Sequence, residues 1–118
     1  MNLRTKRFYL FSFILLFANH FGVHAQQTLI YTEANAAYKQ GLELYDDTRY
    51  GAAQEQFSKI INSENNNNEI RTNSEYYYAM CAVSQMNKDA DYLLTTFIEN
   101  HPESNKALQL LLFLSISF

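Results

Sequence analysis

The chain contains few of the residues that make tight turns or disulfides. Its 118 residues include three glycines, one proline and one cysteine. So little glycine and proline argues against an all-β sandwich, in which many tight turns join the strands. The single cysteine, Cys81, has no partner for a disulfide within the chain. Because Cys81 lies in an apolar stretch, we expect it to be buried and unreactive.

Basic residues are scarce beyond the N-terminus. Three of the nine lysines and arginines lie within the first seven residues, which leaves six against twelve aspartates and glutamates, a net charge of about −6. Affinity for nucleic acid comes chiefly from neutralising phosphates, so we expect no nucleic-acid partner. Attraction to anionic membrane surfaces is disfavoured for the same reason.

The motifs of an active site are also missing. Beyond residue 25 the only histidine is His101, which precedes a proline and is expected to be solvated. A metal site needs three or four converging ligands, and no nucleophile motif or phosphate-binding glycine loop is present. We therefore expect no enzyme: no catalytic residue, no cofactor, no metal and no small-molecule substrate.

The first 25 residues have the layout of a secretory signal peptide. A basic start at residues 4–7 precedes the apolar run Phe8–Phe17, and the small-x-small site Val23–Ala25 follows. Ten apolar residues are too few to cross a bilayer comfortably. Cleavage after Ala25 would make Gln26 the mature N-terminus. An uncleaved membrane anchor remains the alternative.

Apolar and small residues recur at helical spacing from Thr32 onward. A first helix is predicted from a cap at Thr32 to about Tyr45, and a second from about Tyr50 to Ile61. The polar run Asp46–Thr48 leaves a connection of two or three residues, which forces the two helices to be antiparallel. The sequence therefore predicts a helical hairpin.

A second hairpin is predicted after the asparagine-rich run Asn65–Asn68, which we interpret as a solvated loop. Thr72 and Glu75 have the spacing of a capping box and would open a third helix, about Ser74–Met86. A fourth helix, about Lys88–Asn100, ends shortly before the only proline, because a proline pushes the preceding residue out of helical geometry.

Three consecutive tyrosines lie in the predicted third helix, Tyr76, Tyr77 and Tyr78. Neighbouring side chains on a helix are about 100° apart, so the three cannot all face the same side. At least one must be partly exposed or lie at a seam between helices. Two interpretations stay open: the tyrosines anchor a protein interface, where this residue is enriched, or they pack against the loop and the preceding helix.

The last segment, Asn105–Phe118, is almost entirely apolar. At about fourteen residues it is too short to span a membrane. A helix with almost no polar face needs partners on several sides, and this chain offers them on about one. We therefore expect a large apolar surface there.

Small and bulky residues repeat between the two hairpins. Ala53 and Ala90 are 37 residues apart, a spacing within the range of helical repeats. In the first hairpin the residues of the pattern are Gly41, Tyr50, Ala53 and Phe57. In the second hairpin they are Ala82, Ala90, Leu94, Phe97 and Pro102. This second match requires a hairpin about four residues shorter than the first.

This pattern resembles the tetratricopeptide repeat (TPR) family, which combines small, aromatic and bulky residues with a closing proline. Ala37 replaces the family's first aromatic residue, and Thr48 stands where a turn glycine is usual. The resemblance implies an all-α fold of antiparallel hairpins stacked as a short α-solenoid. It divides the chain into a signal peptide (1–25), two helix pairs (26–104) and the first helix of an incomplete third repeat (105–118).

Together with the signal peptide, the resemblance implies an exported scaffold of the bacterial cell envelope, periplasmic or envelope-associated. Such a protein binds another protein or peptide in the groove lined by its first helices, where the candidate contacts are Lys39, Glu43, Tyr77 and Met80. Because the third pair lacks its second helix, we expect a truncated product or the N-terminal part of a longer repeat protein. The alternative is a complete small protein that docks this helix into a partner or a second copy.

A second hypothesis is a small membrane-attached structural protein. An uncleaved Phe8–Phe17 run and the apolar segment Asn105–Phe118 would hold it at the membrane. Under the first hypothesis, membrane contact is expected only through Phe8–Phe17, and only if that run stays uncleaved.

Overall fold

A computed structural model describes the backbone of residues 22–64 and 67–117, and the side chains of residues 32–64 and 67–116. The described residues form helices and no strand, so the all-α expectation is confirmed. The helices are α1 (Gly22–Asp46), α2 (Tyr50–Ile61), α3 (Asn68–Ser84), α4 (Ala90–Asn100) and α5 (Asn105–Ser117). Adjacent helices pack together, α2 on α3, α3 on α4 and α4 on α5.

The chain divides into two compact units, Met1–Thr32 and Glu33–Phe118. In the first unit only the start of α1, from Gly22, is described. The predicted signal peptide lies outside the described residues up to residue 21 and stays a prediction. Helix α1 continues through Thr32, so the predicted cap at this threonine is wrong. No glycine or proline lies between Gly22 and Gly41, so no residue of low helix propensity of this kind interrupts the helix at Thr32.

The second helix of each hairpin buries a stripe of the same spacing. Ala53, Phe57 and Ile60 in α2 are buried at i, i+4 and i+7. In α4 the buried residues at the same spacing are Ala90, Leu94 and Phe97. The two stripes are 37 residues apart, as predicted, because one face of each helix must leave water.

Both hairpins turn in the same way. Helix α1 ends in a Schellman motif, in which the Arg49 amide donates to the Leu44 carbonyl at 2.8 Å. Helix α3 ends in the same motif, in which the Asn87 amide donates to the Ala82 carbonyl at 2.9 Å. The residue before each amide has a positive φ, 60° at Thr48 and 56° at Met86. The two turns are therefore equivalent, although their residues differ.

These turns correct the predicted alignment of the hairpins. Counting back seven residues from Thr48 leads to Gly41, and counting back seven from Met86 leads to Ala79. Ala79 is buried against Leu94 and Phe97, much as Gly41 lies against the Phe57 ring. Ala79, not Ala82, therefore takes the place of Gly41, although Ala82 is also buried. Measured from Gly41 to Ala53 and from Ala79 to Ala90, the second hairpin is shorter than the first by one residue, not by four.

Two apolar cores lie on opposite sides of α3. The first core contains the buried residues Ala53, Phe57, Ile60 and Cys81. The second core contains Ala79, Leu94, Phe97, Ala107 and Leu110. Because α3 supplies Cys81 to one and Ala79 to the other, it is the central helix of the described fold.

Helix α3 begins earlier than predicted. Its cap is Asn67, whose side-chain oxygen accepts a hydrogen bond from the Ile70 amide at 3.2 Å. Asparagine caps a helix as well as threonine does, and the earlier start brings Ile70 into the first core. Thr72 and Glu75 are therefore inside the helix, and the predicted capping box is wrong. The asparagine-rich run is partly helical, with residues 65–66 outside the described residues.

Helix α5 has one buried and one exposed apolar face. Ala107 and Leu110 are buried in the second core, as expected for a helix with partners on one side. The large apolar residues that remain exposed are Leu108, Leu111, Leu112, Phe113 and Ile116. In the described part of the chain no helix is both long and apolar enough to cross a membrane.

The close approach of Gly41 to Phe57 predicts that alanine substitutions at two glycines have different effects on stability. A β-carbon at Gly41 would lie 2.7 Å from the Phe57 Cε1 atom, and the buried ring has little room to move. We expect Gly41→Ala to lower the free energy of unfolding by about 1–2 kcal/mol through overpacking. At Gly51 a β-carbon would meet only the Gln85 Oε1 atom, at 3.5 Å. Gly51→Ala should therefore be neutral or stabilising, as urea denaturation would show.

The left-handed turn at Thr48 predicts a stabilising substitution. A β-branched residue with φ of 60° is strained by about 1–2 kcal/mol, whereas glycine adopts this geometry freely. We expect Thr48→Gly to raise the free energy of unfolding by about 0.5–1 kcal/mol, the remainder being lost to the entropy of the unfolded chain. Asp47→Gly in the same turn is the control. Asp47 has no positive φ, so its replacement should not stabilise the protein.

Candidate interaction surface

One stripe of α3 lies between the two cores and stays partly open. Asn73, Tyr76, Tyr77 and Met80 occur at i, i+3, i+4 and i+7, on one side of the helix, and all four are half-buried. Tyr77 packs against the first core, while Tyr76 and Met80 pack against the second. We call these four residues the α3 stripe.

Aromatic contacts connect the stripe to the first hairpin. The Tyr77 ring stacks on the Phe57 ring with their centroids 5.5 Å apart. It also meets the Tyr45 ring edge-on at 5.2 Å. Such pairs stabilise beyond the burial of their area. Tyr77 therefore holds α1, α2 and α3 together at one point.

Aromatic contacts also continue into the second hairpin. The Tyr76 ring meets the Tyr77 ring edge-on at 5.1 Å and the Phe97 ring at 5.7 Å. Phe97 in turn lies 5.1 Å from the His101 ring. A continuous series of rings thus runs from the first hairpin to the end of α4.

A lysine from α5 places a positive charge on this surface. The Lys106 Nζ atom lies 4.6 Å from the centre of the Tyr76 ring and 5.0 Å from that of Tyr77. Both distances are within the range of a cation–π interaction. The surface therefore combines two aromatic faces with an ammonium group, and it includes residues of α3 and α5.

Three tyrosines of this region, Tyr38, Tyr45 and Tyr76, have a pKa above the usual value. Burial raises the pKa of Tyr76 above its usual value, and repulsion from an ionised Tyr77 adds to the shift. Burial is also the main cause of the raised pKa of Tyr38 and of Tyr45. Because these phenols remain neutral at physiological pH, each can both donate and accept a hydrogen bond.

The four predicted contact residues lie in two different settings. Lys39 and Glu43 are exposed one turn apart on α1, on the side that faces away from the first core. Tyr77 and Met80 belong to the α3 stripe and are half-buried. The structure thus brings Tyr77 and Met80 together, while Lys39 and Glu43 stand apart on the neighbouring first helix.

The tyrosine triplet is divided between the two cores. Tyr77 and Tyr78 pack on the first core, and Tyr76 packs on the second. Packing against the preceding helix is therefore observed for two of the three. Because all three stay half-buried, part of each remains available to a partner.

His101 is not solvated, contrary to the prediction. Its Nε2 atom lies 2.5 Å from the Oε2 atom of Glu75, and both side chains are mostly buried. The Arg71 Nε atom lies 3.5 Å from the other oxygen of the same carboxylate. Glu75 therefore ties the middle of α3 to the residue that caps α4, instead of taking part in a capping box.

A shallow cavity of about 320 Å³ opens beside this carboxylate. Its volume is at the lower end of the range for small-molecule sites. The only charged group in its lining, Glu75, is already paired with His101 and Arg71, so the cavity offers little free charge to a ligand. Its lining residues are Ser58, Ile61, Asn62, Glu75, Tyr78, Leu93, Thr96, Phe97 and Asn100.

Cys81 is fully buried in the first core, as predicted. Burial raises the pKa of its thiol to about 11, so the reactive thiolate is scarce at physiological pH. Among the described residues no group of three or more His, Cys, Asp or Glu side chains could hold a metal ion.

Comparison with known proteins adds no relative to this picture. No family model matches the chain, and no curated protein or solved structure is significantly similar to it. The resemblance to the TPR family therefore rests on the residues of this chain alone.

Three contributions to the surface were missed by the sequence prediction. Lys106 and Tyr76 belong to it, and the pair of Glu75 with His101 supports the helices beneath it. Tyr76 could have been found from its spacing, since it is one turn from Met80 on the same side of the helix. No local pattern indicates the other two features, because the partners are 26 or more residues apart in sequence.

The buried carboxylate predicts different effects for two glutamates near His101. We expect Glu75→Ala to lower the free energy of unfolding by about 1–2 kcal/mol, because it leaves His101 without a mostly buried partner. Glu103 is the control, since its carboxylate lies 3.9 Å from the His101 Nδ1 atom and is mostly exposed. Glu103→Ala should change stability by less than about 0.5 kcal/mol. Urea denaturation of both variants measures the difference, and equal losses would contradict the role of Glu75.

Proposed function

We propose that this protein is an exported scaffold of TPR-like helical hairpins that binds another polypeptide on the face of its first helices, α1, α3 and α5. The observation that carries the proposal is the α3 stripe with Lys106 above its tyrosines. Tyrosine and methionine are enriched at protein interfaces, where an apolar body and a polar tip can both be used.

The chemistry of this surface suits a peptide chain. The faces of Tyr76 and Tyr77 and the thioether of Met80 can contact apolar side chains. The Asn73 amide and the phenol hydroxyls can pair with the donors and acceptors of a peptide backbone. A polypeptide supplies both kinds of group at short intervals.

We assign the charged residues of α1 to the rim of the proposed binding face. Lys39 and Glu43 are exposed and carry opposite charges one turn apart. Charges at the rim of an interface contribute more to the choice of partner and to the rate of association than to affinity. We therefore assign them a role in selecting the partner, with the α3 stripe as the site of closest contact.

The TPR-like character of the proposal is supported by the two equivalent turns and by the buried stripes 37 residues apart. Export and a periplasmic or envelope location are proposed from the signal-peptide layout of residues 1–25. N-terminal sequencing of the protein from producing cells would begin at Gln26 if the signal peptide is cleaved after Ala25.

A photo-cross-linking experiment tests the binding surface. A photoreactive phenylalanine analogue at Asn73 places the reactive group at the N-terminal end of the α3 stripe, one turn from Tyr76 and Tyr77. In producing cells we expect it to yield a discrete cross-linked product with another polypeptide. The same analogue at the exposed Glu55 of α2 should yield little, because that helix is outside the proposed face.

Charge reversal on α1 then tests selection of the partner. Lys39→Glu combined with Glu43→Lys keeps the net charge and should lower the yield of the Asn73 product several-fold. The matched control is Glu55→Lys combined with Lys59→Glu, which makes the same exchange on α2 and should leave the yield unchanged. No discrete product from Asn73, or equal products from Asn73 and Glu55, would overturn the proposal.

A further inference from the structure

The exposed face of α5 carries an apolar stripe at regular spacing. Leu108, Leu112 and Ile116 occur at i, i+4 and i+8 and are 52%, 64% and 85% exposed. Leu111 flanks them and is 49% exposed. Exposed apolar residues that form a contiguous patch commonly mark an interaction site. We call these four residues the α5 stripe.

The charge of α5 restricts what can cover this stripe. The helix has one charged residue, Lys106, and its ammonium group lies over the tyrosines of α3. Two polar side chains border the centre of the stripe. Gln109 is exposed, and the Ser115 hydroxyl already donates to the Leu112 carbonyl at 2.8 Å. Nothing on the stripe requires a charged or hydrogen-bonding partner, so its occupant must itself be apolar.

Three residues of the stripe are spaced symmetrically about its centre. Leu112 lies four residues from Leu108 and four residues from Ile116. When two such helices cross antiparallel on a two-fold axis at Leu112, each Leu112 meets the other, and Leu108 of one copy lies opposite Ile116 of the second copy. A two-fold interface requires this kind of self-complementarity, and the α5 stripe supplies it.

The area of the stripe is sufficient for a weak dimer. At roughly 200 Å² for a fully exposed large apolar residue, the exposed fractions of the four side chains correspond to about 500 Å² per copy. Two copies that covered all of this area would bury at most about 1,000 Å² in total, at the lower limit for a specific interface. An interface of this size is expected to be weak.

We propose that the α5 stripe is the contact surface of a two-fold dimer, in which it packs antiparallel against the same stripe of a second copy. The dimer does not depend on the proposed peptide site. The α3 stripe is on another helix, and Lys106, the α5 residue above its tyrosines, is not part of the α5 stripe. Either proposal can therefore fail its test without the other.

Sedimentation velocity of the full chain over a concentration series tests the dimer. We expect a monomer–dimer equilibrium that shifts to dimer as protein concentration rises. Leu112→Glu places two like charges on the two-fold axis and should raise the Kd at least tenfold. The control is Tyr92→Glu, which puts the same charge on an exposed residue of α4 and should leave the Kd unchanged. Circular dichroism confirms that both variants remain folded.

Disulfide trapping tests the geometry of the same contact. Leu112→Cys should form a disulfide-linked dimer under mild oxidation, because the axis brings the two copies of this position together. Glu99→Cys, exposed on α4, should not. Cys81 can stay in place, since its thiol is buried.

Four outcomes would overturn this proposal. They are a monomer at every concentration, a dimer that survives Leu112→Glu, equal trapping at both cysteines, and assemblies larger than a dimer. A monomer whose residue-112 thiol resists alkylation would show that another segment of the same chain covers the stripe.

Discussion

The contact between Tyr76 and Tyr77 is the point on which the described fold depends. Neighbouring residues of a helix point about 100° apart, so the two rings reach different neighbours while touching each other at 5.1 Å. Tyr77 stacks on Phe57 in the first core, and Tyr76 meets Phe97 in the second. Each such pair adds roughly 0.5–1.5 kcal/mol to what burial supplies. Helix α3 thereby joins two hairpins that would otherwise bury separate apolar stripes.

The same two tyrosines also form the surface that we assign to binding. The two rings lie between the cores, Tyr77 on the first and Tyr76 on the second, and neither core covers its ring completely, so both stay half-buried. Lys106 covers part of the exposed rings with an ammonium group, which a polypeptide partner can share or displace. The tyrosines that stabilise the fold are therefore the ones that we propose for binding, and changing them would lower stability as well as any binding. Tests of binding are better made at Asn73 and at the exposed charges of α1.

The repetition within this chain is clearer in its backbone than in its side chains. Thr48 and Met86 differ in size and shape, yet both have a positive φ and both end a helix in the same hydrogen-bond pattern. What repeats is a close approach between the two helices of each hairpin, seven residues before the residue with the positive φ. Gly41 allows this approach because it has no side chain next to the Phe57 ring. Ala79 allows it with a methyl group, because its neighbour Leu94 is smaller than Phe57.

The sequence by itself determined the helical class, the buried stripes of α2 and α4, and the exposed apolar face of α5. These features follow from spacing along a single helix, which is a local property. Only the tertiary structure decided where α3 begins, which alanine of the second hairpin takes the place of Gly41, and that Glu75 pairs with His101 across 26 residues. Several residues satisfy equally well the local rules for a helix cap or for a small residue at a helix crossing. Packing between helices selects among them, because it alone determines which side chains must leave water together.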